Sequence, residues 1–267
     1  MLGKLIKYDL KYGVKIFGIL HGILLTASIL GRFLFVNKID FNADPEIIFS
    51  SVSPFMALYV LLFTSVGLGV AALLCVRFYR NLFTDEGYLS WTLPATSVQQ
   101  IWAKIISGTI WYVLNILITA LSLIILVTGN NVTEAYAKIA PEMTNVLGVS
   151  LSRYSLIMLV FSLAGALSSV IMIYVCISIG QLFPGHRILG AILAYFILMV
   201  IIQVVVLGLM IIFNLFPGPY AATVVIEAEA SHYMFAIFKL SGGITIVLTI
   251  VEYFIMHYIL NKKLNLI

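Results

Sequence analysis

Residues Ile188–Phe213 read ILGAILAYFILMVIIQVVVLGLMIIF, a run without a charge and with a single amide, Gln203. A helix needs about 20 mostly apolar residues to cross the hydrocarbon core of a bilayer, so this run is long enough. In lipid the backbone must satisfy its own hydrogen bonds, which predicts an α-helix here. Five other stretches read the same way: Ile16–Val36, Phe55–Val76, Ile105–Thr128, Tyr154–Gly180 and Ile237–Leu260. The gaps between them hold charges, which resist burial in lipid, and Gly and Pro, which stop helices. Asp40, Asp44, Pro45 and Glu46 fill the first gap, and Pro94 lies in the second. Pro184-Gly185 marks the fourth gap and Pro217-Gly218-Pro219 the fifth. The alternating polarity of a membrane β-barrel is absent.

Composition leads to the same class. Of 267 residues, 62% are hydrophobic and 10% charged, with a mean hydropathy of +1.12. Soluble domains are about half apolar and a quarter charged. A soluble fold, a nucleic-acid binder and a disordered chain are therefore excluded. The expected fold is all-α: one polytopic membrane domain over residues 1–267 with six transmembrane helices. The first span runs on too long for the core of a cleaved signal peptide, so it is expected to stay.

Loop charge sets the expected orientation. With six spans both termini share a side, together with the second-to-third and fourth-to-fifth connections. That side carries Lys4, Lys7, Lys11, Lys15, Arg77, Arg80, Lys104, Arg187, Lys262 and Lys263, against Arg32, Lys38, Lys138, Arg153 and Lys239 on the other. The positive-inside rule then places both termini in the cytoplasm of a multi-pass protein of the cell membrane. Cys75 and Cys176 fall near cytoplasmic span ends, where thiols stay reduced, so no disulfide is expected.

At the N-terminus, Lys4, Lys7, Lys11 and Lys15 form one basic stripe on a helix, opposite Leu2, Leu5, Ile6 and Ile16. Residues 1–15 are expected to be an interfacial helix on membrane lipid, serving at least as a topology anchor. Asp9 falls within the apolar face, which points to a protein contact there.

The connection Arg77–Pro94 reads RFYRNLFTDEGYLSWTLP. Thr84 before Asp85 and Glu86 has the pattern of a helix start, with acids at the positive end of the helix dipole. Tyr88, Leu89, Trp91 and Leu93 add apolar surface. Such aromatics fit an interfacial belt, or a short helix presented to a cytoplasmic protein.

This segment resembles the signature of small bacterial ABC-transporter permeases of the type-2 exporter class, most strongly over Arg77–Lys104. The resemblance implies a cytoplasmic coupling helix within residues 77–104, with Thr84, Asp85, Glu86, Gly87, Tyr88 and Leu89 touching an ATPase subunit. Pro184, Gly185, His186 and Arg187 would form a second, smaller contact, and residues 214–236 a re-entrant stretch on the outer side. The outer loops are read as short, without a large extracellular domain. No Gly-x-x-x-x-Gly-Lys-Ser/Thr loop occurs in the sequence. The chain is thus expected to be no enzyme itself. ATP and Mg would be bound by two partner ATPase subunits, beside a second permease copy or a related permease. Export of antimicrobial peptides is the leading cargo within that family.

Within the spans Glu252 is the single acid. A carboxylate there must face protein or water. Counting helix rise inward from the charged span ends places Asn115 and Tyr112 nearest its depth, with Gln203 deeper. These residues are candidates for a transport path, or for a polar strut between helices. Gly18 with Gly22, and Gly165 with Ser169, read as small-residue packing faces. The four histidines lack metal-ligand spacing. Beside the ABC exporter, two other readings remain open: an ion-coupled secondary carrier using Glu252, and a non-transporting scaffold or immunity protein.

Overall fold

The structure is a computed structural model that describes residues 1–215 and 227–262. In chain order it contains α1 (Leu2–Leu34), a short 3-10 turn (Val36–Lys38), α2 (Pro45–Phe83), α3 (Asp85–Thr92), α4 (Ser97–Val127), α5 (Asn130–Leu147), α6 (Leu151–Gly180), α7 (Arg187–Ile212) and α8 (Glu227–Lys262). Among the described residues there is no strand. Six helices, α1, α2, α4, α6, α7 and α8, are long and apolar enough to cross a membrane. They coincide with the six stretches expected, and Pro217–Pro219 lie outside the described residues.

The helices outrun the apolar segments. α1 has 33 residues and α2 has 39, so at ~1.5 Å per residue they reach about 50 and 58 Å. Both exceed a ~30 Å hydrocarbon core. The expected interfacial helix over residues 1–15 is therefore not a separate element: it forms the first turns of α1, continuous with the span. Lys4, Lys7, Lys11 and Lys15 are all exposed on it. α2 starts early because Asp44 caps it, its side chain accepting from the Glu46 N–H at 3.2 Å, with Pro45 in the first turn. Pro is tolerated there because that N–H has no helical partner.

One helix was not anticipated. Residues 130–147 form α5, 18 residues between the third and fourth spans, packed on α6 and α8. Its sequence mixes polar with apolar residues and carries no apolar run of membrane length, so it reads as a connection between spans.

α1 packs chiefly on α4, and α6 on α7 and α8, while α4 and α6 join the two halves. The larger core lies at the end holding the start of α1 and the end of α8. It includes Phe17, Phe78, Leu82, Ile105, Val175 and Met256. A smaller one at the opposite end gathers Leu24, Tyr59, Val66 and Leu126. Without water to drive association, helices in lipid rely on close packing and interhelical hydrogen bonds. Tyr59 of α2 supplies such bonds, its hydroxyl lying 3.2 Å from Ser28 Oγ of α1 and 2.9 Å from Ser122 Oγ of α4.

Close approach occurs at other glycines than the sequence marked. A Cβ on Gly18, Gly22 or Gly165 would meet nothing within 4 Å. One on Gly108 would lie 2.5 Å from Tyr174 Oη and 2.9 Å from Val170 Cγ1, where α4 meets α6. Gly108→Val is expected to destabilise the purified chain by about 1–3 kcal/mol through overpacking, whereas Gly165→Ala leaves the thermal melting midpoint in detergent unchanged.

Candidate functional site

The most strongly bonded group of charges lies where α1, α2, α3 and α4 meet. Asp9 is 6% exposed and Lys104 8%. Lys104 Nζ donates to both carboxylate oxygens of Asp9 at 2.6 Å. Arg77 donates to Asp9 Oδ1 from Nε at 3.0 Å, and its Nη2 lies at the same distance. Asn81 Nδ2 adds a fourth donor at 3.2 Å. The guanidinium of Arg77 also sits 4.4 Å over the Tyr12 ring. A buried charge is tolerated when it is paired and its lone pairs are filled, and Asp9 meets both conditions. Asp9 thus binds its own chain, not a foreign protein. The sequence held a signal for this: a lone acid on an apolar helix face must find cations, and Arg77 and Lys104 bracket the only long basic connection.

The cluster continues into the elbow. Arg77 Nη1 lies 3.7 Å from Glu86 Oε2, and Arg80 Nη2 donates to Glu86 Oε1 at 2.6 Å. Glu86 stands in the first turn of α3, so one chain of charges runs from α3 through α2 to α1 and α4. Thr84 occupies the N-cap position, but its hydroxyl donates back to Arg80 O at 2.7 Å instead of capping α3. Gly87 is packed so tightly against the end of α2 that a Cβ would lie 2.6 Å from the Leu82 carbonyl carbon. Trp91 Nε1 donates to Leu82 O at 3.3 Å, and Gln100 Nε2 to Ser90 O at 2.6 Å. A capping box between Thr96 and Gln99 then starts α4. The elbow is therefore a built corner with one face against its own bundle. Asp85, Thr92, Leu93 and Pro94 remain exposed on the other. For Tyr88 and Leu89 only the helical backbone is described.

Of the second expected contact, Pro184, Gly185 and His186 are exposed and Arg187 is half-buried. Gly185 takes a left-handed φ of 88° in the turn between α6 and α7, which favours glycine. The α6–α7 turn lies at the same end as the elbow, since α6 and α7 feed Tyr174, Cys176 and Ala194 into the same core.

The intramembrane candidates separate. Glu252 is 4% exposed on α8, and its Oε2 has no hydrogen-bond partner among the described residues. Its expected partner Asn115 is instead engaged by His21: the ring Nε2 meets the Asn115 carboxamide at 3.0 Å, and Nδ1 donates to Phe17 O at 2.9 Å. Tyr112 is half-buried against the larger core. Gln203 is exposed on α7. Counting residues along each helix does not fix its rotation, and rotation decides which side chains meet. Cys75 and Cys176 are unlinked, and no group of three or more metal-ligating side chains occurs among the described residues.

Compared with known proteins, the chain matches no family model, no curated protein and no solved structure.

Removing Asp9 leaves Lys104 buried without its carboxylate. Asp9→Ala is expected to cost about 3–5 kcal/mol, read as a lower melting midpoint, and Asp9→Ala with Lys104→Met to recover most of the loss.

Proposed function

We propose that this chain is the membrane-spanning permease subunit of an ATP-driven ABC exporter, with its termini and elbow in the cytoplasm. The observation that carries the reading is the elbow itself. α3 is a short helix between two spans, anchored on one side by Glu86, Gly87 and Trp91 and open on the other at Asp85, Leu93 and Pro94. A push on the open face would pass through Glu86 and Arg77 to Asp9 and Lys104, and so to α1 and α4. Rigid helices linked in this way can switch access between the two sides of the membrane. Two ATPase subunits would supply the push, and a second permease copy or a related one would complete the path. The cargo would be hydrophobic or amphipathic, such as a peptide or a lipid-like compound, with antimicrobial peptides the leading class.

Glu252 favours a second reading, an ion-coupled carrier. Its buried carboxylate with one unpartnered oxygen is the kind of intramembrane group that binds a proton or cation.

Asp85 is exposed and makes no ion pair among the described residues, so its replacement tests docking without disturbing the corner. The chain purified from its native membrane is expected to co-elute with a subunit carrying a Walker-type nucleotide loop and with ATPase activity. Asp85→Lys should lose both while the melting midpoint is kept. Retention of the ATPase in Asp85→Lys, or its absence from the wild-type preparation, sinks the exporter reading. Glu252→Gln separates the alternatives. Transport that survives the change and stops without ATP supports the exporter, whereas transport abolished in a stable Glu252→Gln protein and indifferent to ATP supports the carrier.

A further inference from the structure

At the end of the bundle opposite the elbow, a cavity of about 390 Å³ opens between the end of α1, the 3-10 turn and the first turns of α2. That volume lies in the range of small-molecule sites, roughly 300–1,000 Å³. Its lining is mostly apolar, and its two aromatic rings, Phe35 and Phe55, stack with centroids 4.8 Å apart. Its rim carries one charge of each sign, Lys38 and Asp40, both exposed.

The two charges do not neutralise each other, and no ion pair takes either to another described residue. The carboxylate is oriented: Asp40 Oδ1 accepts from the Asn42 N–H at 2.9 Å and from Asn42 Nδ2 at 3.2 Å. The turn that carries Lys38 is also fixed. Asn131 Nδ2, at the start of α5, donates to Val36 O at 2.7 Å and to Ile39 O at 3.2 Å. A mostly apolar lining beside a held pair of unpaired opposite charges, at the end of two spans, matches a molecule with a hydrocarbon tail and a zwitterionic head.

We propose that this cavity binds one aminophospholipid of the adjoining leaflet. An acyl chain lies against Phe35 and Phe55, the phosphate meets Lys38, and the primary ammonium donates to Asp40. A purely anionic lipid would satisfy Lys38 but face Asp40 with like charge. A choline head carries no N–H to donate to the carboxylate. The site depends on the chain spanning a membrane and not on whether it exports anything.

The test uses the full chain in nanodiscs of phosphatidylethanolamine, phosphatidylglycerol and phosphatidylcholine in equal parts, with retained lipid counted by native mass spectrometry. Phosphatidylglycerol held by the exposed lysines of α1 serves as the internal reference. Phosphatidylethanolamine is expected to be retained above phosphatidylcholine. Its ratio to phosphatidylglycerol should fall about tenfold in Lys38→Ala, which removes the phosphate partner. A similar fall is expected in Val52→Trp, which fills the cavity, and a smaller one in Asp40→Asn. Lys38 is exposed, so its variant keeps the fold even if Val52→Trp does not. A ratio unchanged in Lys38→Ala, or choline lipid retained as well as ethanolamine lipid, overturns the proposal.

Discussion

A carboxylate without water must be answered by cations, and in this protein Asp9 of α1 is answered by two other helices at once. Lys104 from α4 and Arg77 and Asn81 from α2 converge on it, and Arg77 carries the connection on to Glu86 of α3. Because the ions are shielded from solvent, their geometry is held more firmly than that of a surface pair. The first turns of α1 are thereby tied to the bundle, and the elbow is fixed relative to both spans that flank it. Stacking of Phe78 on Tyr174, with ring centroids 4.0 Å apart, ties the same corner to α6.

The opposite end is held by different means. Neutral hydroxyls of Ser28, Tyr59 and Ser122 link α1, α2 and α4, and Asn131 pins the 3-10 turn to α5. The molecule thus has an ionic corner at one end and a hydroxyl-linked, partly open one at the other. α7 contributes little to either, packing chiefly on α6 and turning residues such as Phe196, Val204 and Ile212 outward. In lipid such exposed apolar side chains are in their own solvent, so a thinly packed outer helix is stable there.

Much of the fold was legible in the chain because the bilayer imposes one long-wavelength rule: about 20 apolar residues per crossing, ended by charge or Pro. That rule found six helices and the elbow between the second and third. It said less about helix ends, since α1 and α2 continue well past their apolar stretches into charge-bearing turns. It missed α5, whose polar face resembles a loop. Gly18 and Gly22 matched a packing pattern, but a Cβ on either would meet nothing within 4 Å, while Gly108, in no pattern, packs closely against Tyr174 of α6.

The sequence by itself determined the number and order of the membrane-length helices and the place of the elbow between the second and third. Tertiary structure alone decided which polar groups meet. Asp9 found Lys104, 95 positions away, and Asn115 turned to His21 and away from Glu252. The reason is geometric: hydropathy is summed along a segment and survives rotation about its axis, whereas a hydrogen bond depends on the rotation and tilt of two helices together. Those angles are set by packing between segments distant in the chain, which no local pattern encodes.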